Sequence, residues 1–222
     1  MPELTSGDLS LPPLIFLHGF LGSKEDWIDM FPFFDRQFHC IAIDLPADNI
    51  LESISIPENA IVIGYSMGGR IALQLQEKFR AVIAISAHPG LKSQEERDLR
   101  AQTDAAWCEK LRTLPFSQFL SEWYAQPIFK QIFPRKEQDP HILARMLEQM
   151  SLAKQPLIEQ FHRPTLFIHG EEDLKYQQLY CKLPQTVTVR SVPNCGHAVH
   201  LENPAACAEH INEVICRTHL KQ

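Results

Sequence analysis

Six short apolar runs, each closed by Gly, Pro, Ser or Asp, constrain this chain more than any other feature of its sequence. They are LIFLHG (14–19), HCIAIDLP (39–46), AIVIGYS (60–66), AVIAISA (81–87), PTLFIHGEED (164–173) and TVTVRSVP (186–193). Nearly unbroken hydrophobic runs of this length suit strands buried on both faces, as in a parallel sheet. Helical patterns lie between them: KEDWIDMFPFF, MGGRIALQLQEKF, LKYQQLYCKL and NPAACAEHINEVICRTHL. The last opens with Asn203 in the N-cap position and Pro204 at the first helical position. Strands alternating with helices predict an α/β fold, a doubly wound sheet with helices on both faces.

One segment interrupts the alternation. From about His88 to His162 no good strand pattern occurs. EERDLRAQTDAAWCEKLRTL reads as a charged amphipathic helix, and SQFLSEWYAQPIFKQIF and DPHILARMLEQMSLA read as further helices. A helical block between strands is expected as an insertion above the sheet, a lid over residues 88–162 of one domain spanning 1–222. The formal net charge of -6 argues against nucleic acid or an anionic membrane surface as partner. Any site for an acidic ligand must then be a local cationic pocket. The six cysteines are scattered without a C-x-x-C pair, which argues against a zinc site. There is no basic-then-apolar leader and no run of about 18 apolar residues. Together these predict a cytoplasmic protein without metal, and a monomer by default.

The run AIVIGYS leads into IGYSMGGR, a G-x-S-x-G pattern between a strand and a helix. That is the context of a nucleophile elbow, a sharp turn that lifts the Ser66 hydroxyl above the carboxyl edge of the sheet. A glycine-rich turn with an incidental serine is the bland alternative. Three features weigh against it. Asp173 ends PTLFIHGEED, ahead of Glu171 and Glu172 as the acid. His197 follows Gly196 in VPNCGHAVHLENP, with His200 as a rival closer to the next helix. The order Ser66, Asp173, His197 is that of α/β-hydrolases. LHGF, at the end of the first run, can aim a backbone N–H at the site, so the Phe20 and Met67 amides form the expected oxyanion hole. His18, His88 and Asp44 are expected to order loops, and Cys195 to be a small buried hydrophobe. Arg70 lies four residues after Ser66 on the same helical face and can lean back toward the pocket. A surface salt bridge is its ordinary alternative. The lid carries Arg97, Arg100, Arg112, Arg135 and Arg145, and Trp123, Tyr124 and Phe129 lie in EWYAQPIF. Arginines match carboxylates in bidentate fashion, so arginines with aromatics suit a polycarboxylate bearing a ring. Ordinary lid packing is the alternative for each aromatic.

LHGFLGSKEDW, GYSMGGRIAL, SAHPGL, ERDLRAQTDAAW, EWYAQPIF, SLAKQP, HGEED and CGHAVHLENP together resemble the 2-succinyl-6-hydroxy-2,4-cyclohexadiene-1-carboxylate synthases of menaquinone biosynthesis. The resemblance runs from about residue 14 to 205 and includes the lid. It implies an α/β-hydrolase fold whose activity is a lyase reaction, elimination of pyruvate from a cyclohexene adduct without metal or cofactor. It implies Ser66, His197 and Asp173 as the triad, with Ser66 acting as a base rather than an acylating nucleophile. It also implies Tyr65, Arg70, Arg100, Trp123, Tyr124 and Phe129 as substrate-binding residues, with Arg135 near a second lid arginine. The sequence departs from the family at DLPADN, where Ala47 and Asp48 stand in place of a Gly-His-Gly, and the stretch from there to the elbow strand is short enough to reduce its helix to a turn. A carboxylesterase or C–C bond hydrolase is the second reading, and a non-catalytic binding protein on the same scaffold is the third.

Overall fold

The computed structural model describes residues 3–219, with side chains to residue 215. Its seven strands are β1 (Glu3–Ser6), β2 (Pro13–Leu17), β3 (His39–Ile43), β4 (Ile61–Tyr65), β5 (Ala81–Ile85), β6 (Thr165–Gly170) and β7 (Thr188–Val192). They form one sheet in the order β1-β3-β2-β4-β5-β6-β7. Every pairing is parallel except that of β1 with β3. β1 is a short, partly exposed edge strand that the sequence pattern does not announce, because ELTS has no apolar run.

Side-chain alternation builds two cores from the six apolar runs. Leu14, Phe16, Ile61, Ile63, Ile83, Leu166 and Ile168 pack on one face, with Trp27, Phe34 and Ile211. Ile15, Leu17, Val62, Val82 and Phe167 pack on the other, with Ile71, Leu73 and Tyr180. Because both faces are covered, the runs read as unbroken hydrophobic stretches.

The helices are α1 (Ile50–Ser53), α2 (Met67–Gln74), α3 (Gln94–Thr113), α4 (Phe116–Tyr124), α5 (Pro140–Gln149), α6 (Leu174–Tyr180), α7 (Val199–Glu202) and α8 (Pro204–His219). α1 is a single turn, as the short connection implied. Asn203 caps α8, its Oδ1 accepting the Ala206 N–H at 3.1 Å. Two helical expectations are corrected. KEDWIDMFPFF forms two 3-10 turns, Lys24–Trp27 and Phe31–Phe33, instead of a helix. Pro32 lacks the N–H that an α-helix interior needs, so the chain turns in two short 3-10 pieces even though the buried Trp27, Met30, Phe31 and Phe34 fall at helical spacing. The stretch SQFLSEWYAQPIFKQIF is helical only to Tyr124, since Pro127 disfavours helix at the residue before it.

The helices between β5 and β6 have their own small core. Cys108 and Leu111 of α3, Phe119 of α4 and Leu143, Ala144 and Leu147 of α5 pack together with Leu21. α3 opens with a capping box, Ser93 accepting the Glu96 N–H while Glu96 accepts the Ser93 N–H.

Candidate active site

Ser66 joins β4 to α2 in a strained backbone conformation, φ 49° and ψ -104°. Such geometry in a non-glycine residue costs on the order of 1–3 kcal/mol and persists only where its surroundings enforce it. Here the Ser66 N–H donates to Ile85 O at 2.8 Å, and Ser66 O accepts the Arg70 N–H at 3.0 Å. The flanking glycines allow the close crossing. A Cβ on Gly64 would overlap the Gly68 backbone, and a Cβ on Gly68 would overlap the Leu17 and His18 carbonyls. Met67 is the first residue of α2, so its N–H is one of the donors left free at a helix start.

β6 and β7 deliver the other two members. Asp173 caps α6, its Oδ1 accepting the Tyr176 N–H at 3.2 Å. Its Oδ2 lies 2.7 Å from His197 Nδ1, and His197 Nε2 lies 3.3 Å from Ser66 Oγ. Asp173 is 1% exposed and His197 3%. The His197 loop is held from both sides. The Glu202 carboxylate accepts the Gly196 N–H at 2.6 Å and the Ala198 N–H at 3.1 Å. From the lid, Ile128 O accepts the His197 N–H at 3.1 Å. Lys130 donates to Asn194 O at 2.9 Å and pairs with Glu172 at 2.7 Å, fixing the same loop.

A cavity of about 360 Å³ opens over Ser66 and His197. Its walls include Arg100, Trp107, Trp123, Phe129, Lys175 and Tyr176. That volume suits a small ligand. A hollow of about 30 Å³ on another side of Ser66 is lined by Phe20, Tyr65, Tyr124 and Arg135. A larger cavity, about 600 Å³, lies elsewhere, between the 18–29 loop, Asp44–Ala47 and residues 134–146, and contains none of Ser66, Asp173 and His197.

Arg70 is 9% exposed, and its Nη1 has no hydrogen-bond partner among the described residues. Burial and then the neighbouring Arg100 pull its guanidinium down to about 10, against the opposing pull of Tyr176 and Asp104. Arg100 donates to Asp104 at 2.8 Å and still faces the cavity. Burial pushes the Tyr176 phenol up to about 12. Tyr65 packs edge-on against His197, and Phe129 and Tyr176 contact the same imidazole.

The structure therefore brings Ser66, Asp173, His197, Phe20, Met67, Tyr65, Arg100, Trp123, Tyr124 and Phe129 to one region, with Arg70 just behind it. Arg135 reaches the small hollow, but it already pairs with Asp26 at 2.6 Å and donates to the Tyr124 hydroxyl at 2.9 Å. The lid arginines do not share one task. Arg97 donates to the Leu91, Ala153 and Gln155 carbonyls, Arg112 pairs with Glu148, and Arg145 pairs with Asp48. Asp48, one of the departures at DLPADN, also accepts from Gln149, so that loop is tied to α5. His18 accepts the Leu45 N–H, His88 accepts the Gly90 N–H, and Asp44 pairs with Lys24, all ordering loops. His200 is fully buried against Trp27 and Tyr65. Cys195 is buried, which pushes its thiol up to about 11.

Sequence reasoning missed Lys175, Tyr176, Trp107 and Glu202. Lys175 and Tyr176 lie two and three residues after Asp173, so the motif DLKY carried a usable signal. Glu202 had none, because its role depends on α7 folding back onto the His197 loop.

A sheet of this order, with a strained serine at its carboxyl edge hydrogen-bonded through histidine to aspartate, defines a protein of the α/β-hydrolase class. A model of the alpha/beta hydrolase family matches residues 47–210, and one of the alpha/beta hydrolase fold matches 12–49. A 2-succinyl-6-hydroxy-2,4-cyclohexadiene-1-carboxylate synthase of Serratia proteamaculans is 32% identical, covering 96% of this chain and 96% of its own. The protein of the same name from Photorhabdus laumondii is 32% identical over 92% of this chain and 85% of its own length. The solved structure of MenH from S. aureus superposes with a TM-score of 0.86 at 23% identity, covering 98% of each chain. The chain belongs to the α/β-hydrolase family and, within it, to the branch formed by these synthases. No group of His, Cys, Asp and Glu among the described residues could hold a metal ion, and no described helix is long and apolar enough to cross a membrane.

Proposed function

We propose that this protein is a carbon-oxygen lyase. It converts 2-succinyl-5-enolpyruvyl-6-hydroxy-3-cyclohexene-1-carboxylate to 2-succinyl-6-hydroxy-2,4-cyclohexadiene-1-carboxylate and pyruvate in menaquinone synthesis. The observation that carries the reading is the Ser66–His197–Asp173 chain beside a cavity faced by Arg100, with the buried, unpartnered Arg70 adjacent. The relatives' shared name supports it.

In this reading Ser66 Oγ, its own proton passed to His197 Nε2, removes the ring proton next to the succinyl carbonyl. Asp173 orients the imidazole and stabilises its charged form. The C–H electrons form the first new ring double bond. The existing double bond shifts by one position, and the C–O bond to the enolpyruvyl group breaks. The departing enolate takes up a proton and becomes pyruvate, so no oxidant, reductant or metal is consumed. The charge that develops on the succinyl carbonyl oxygen is met by the Phe20 and Met67 N–H groups. Arg70 and Arg100 bind carboxylates, and Tyr65, Trp123, Tyr124 and Phe129 wall the ring, with Arg135 closing the hollow beside Ser66. A single domain, acting on a small polycarboxylate without a cofactor, suffices for this chemistry.

The test is direct. Supplied with the adduct, the wild-type protein releases pyruvate, followed by a coupled assay. Ser66→Ala lowers kcat by about 10²–10⁴-fold with the fold intact. Absence of pyruvate release alongside efficient hydrolysis of simple esters through an acyl-enzyme sinks the proposal and leaves the carboxylesterase reading.

A further inference from the structure

Every charged group on the wall of the 360 Å³ cavity has an ionic or capping partner except one. Glu96 accepts the Lys92 and Ser93 N–H groups at 2.9 Å each, and Asp104 is taken by Arg100. Asp173, close by, is committed to His197 and to the Tyr176 N–H. Lys175 lies at the same wall and forms no ion pair among the described residues. We propose that Lys175 is the third cation of the site: together with Arg100 it forms a subsite at the cavity mouth for a substrate carboxylate.

Its position in the chain points the same way. Lys175 is the second residue of α6, two positions after the N-cap Asp173. A cation in the first turn opposes the helix dipole, so local stability favours almost any other residue there. A side chain that breaks a local rule at the edge of a cavity marks function more often than folding. Lost hydration first, and then the like charge of Arg100, hold the Lys175 ammonium below its ordinary range, with Asp173 pulling the other way. Asp104 already pairs with Arg100, which leaves Lys175 as the cation on this wall with no ion pair of its own to meet an incoming anion. The single ammonium acts as a point charge, while the Arg100 fork supplies directionality. The subsite deepens the lyase reading and rests on it for the identity of the ligand: a multiply charged carboxylate, not a neutral ester.

The test uses citrate as the tricarboxylate probe, in calorimetric titrations at low ionic strength. Lys175→Met weakens citrate binding about 10-fold or more, the scale of one charge-assisted contact. Lys175→Arg stays within about 3-fold, because it keeps the charge. Lys182→Met, an exposed lysine just beyond the same helix, removes the same net charge and binds as wild type. With the adduct, Lys175→Met raises KM and leaves kcat nearly unchanged, since a carboxylate held equally in ground and transition states contributes only uniform binding. The proposal is overturned if Lys175→Met binds citrate as wild type does, if Lys182→Met weakens it equally, or if the wild type does not bind citrate. A wild type that binds citrate through Lys175 but releases no pyruvate from the adduct leaves the subsite standing and removes the lyase assignment. Pyruvate release with Lys175→Met indistinguishable from wild type in both assays does the reverse.

Discussion

Arg70 shows how far the site departs from what folding alone selects. Its guanidinium is buried one turn beyond Ser66, with Nη1 unpartnered and Arg100 nearby. A buried charge without a full set of partners is destabilising, and an apolar side chain of similar volume is often better tolerated. Arg70→Met is therefore expected to stabilise the protein by about 1–3 kcal/mol, a melting-temperature rise of about 2–4 °C per kcal/mol for a chain of this size. The same variant raises KM for the adduct by about 10-fold or more, through loss of a charge-assisted carboxylate contact. Calorimetric melting and steady-state kinetics on one preparation check both. A variant that loses stability and substrate binding together shows that Arg70 is structural. Ser66 carries strain of a similar kind, in a φ that only its two glycine neighbours make compatible with the crossing of α2 over β2.

At the scale of elements, the placement of His197 is a property of α7 and the lid, not of its own loop. Glu202 receives two N–H groups that bracket His197, and Ile128 of the lid receives the N–H of His197 itself. Glu202→Gln replaces one acceptor oxygen with an NH₂ that cannot accept, and Glu202→Ala removes both acceptors. Leaving such donors unsatisfied costs about 1–3 kcal/mol each. The expected outcome is a graded fall in kcat, wild type above Gln above Ala. KM changes little, because the substrate-binding walls come from other elements. A uniform loss of stability with an unchanged kcat per folded molecule counts against this positioning role.

Over the whole molecule, buried histidines link stability to pH. Burial, then Lys175, Arg70 and Arg100, bring His88 from 6.5 down to about 4, with Glu96 opposing. Burial holds His200 well below 6.5 and also lowers His18. In the unfolded chain these rings take up protons near 6.5, while the folded protein keeps them neutral to lower pH. The unfolded state thus binds more protons, and the stability these groups contribute is complete above pH 6.5 and lost as pH falls toward 4. His88 alone accounts for about 3 kcal/mol across that window. Denaturant midpoints at pH 7.5, 6 and 5 are expected to fall steadily. His88→Asn, which can still accept the Gly90 N–H, is expected to flatten that slope. A slope that His88→Asn leaves unchanged assigns the pH dependence to other groups.

The six apolar runs determined the sheet, because a parallel strand buried on both faces is written in consecutive residues. Gly64, Ser66 and Gly68 likewise announced the elbow, since the turn needs those residue types at that spacing. Asp173 and His197 were legible as strand-end residues in a known order. The capped α8 was legible from Asn203 and Pro204. What the sequence could not carry were relations between distant segments. Charge and helical spacing alone did not distinguish Arg100, which faces the cavity, from Arg97, which latches the lid carbonyls, three residues apart on α3; only the family resemblance singled out Arg100. It did not show Asp26 occupying Arg135, Glu202 reaching back around His197, or Lys175 unpartnered beside Arg100. Hydrophobic periodicity and turn chemistry are local, and so they reached the fold and the elbow. Which charge is paired, and which is left to meet a ligand, depends on side chains brought together by packing, and only the tertiary structure decides it.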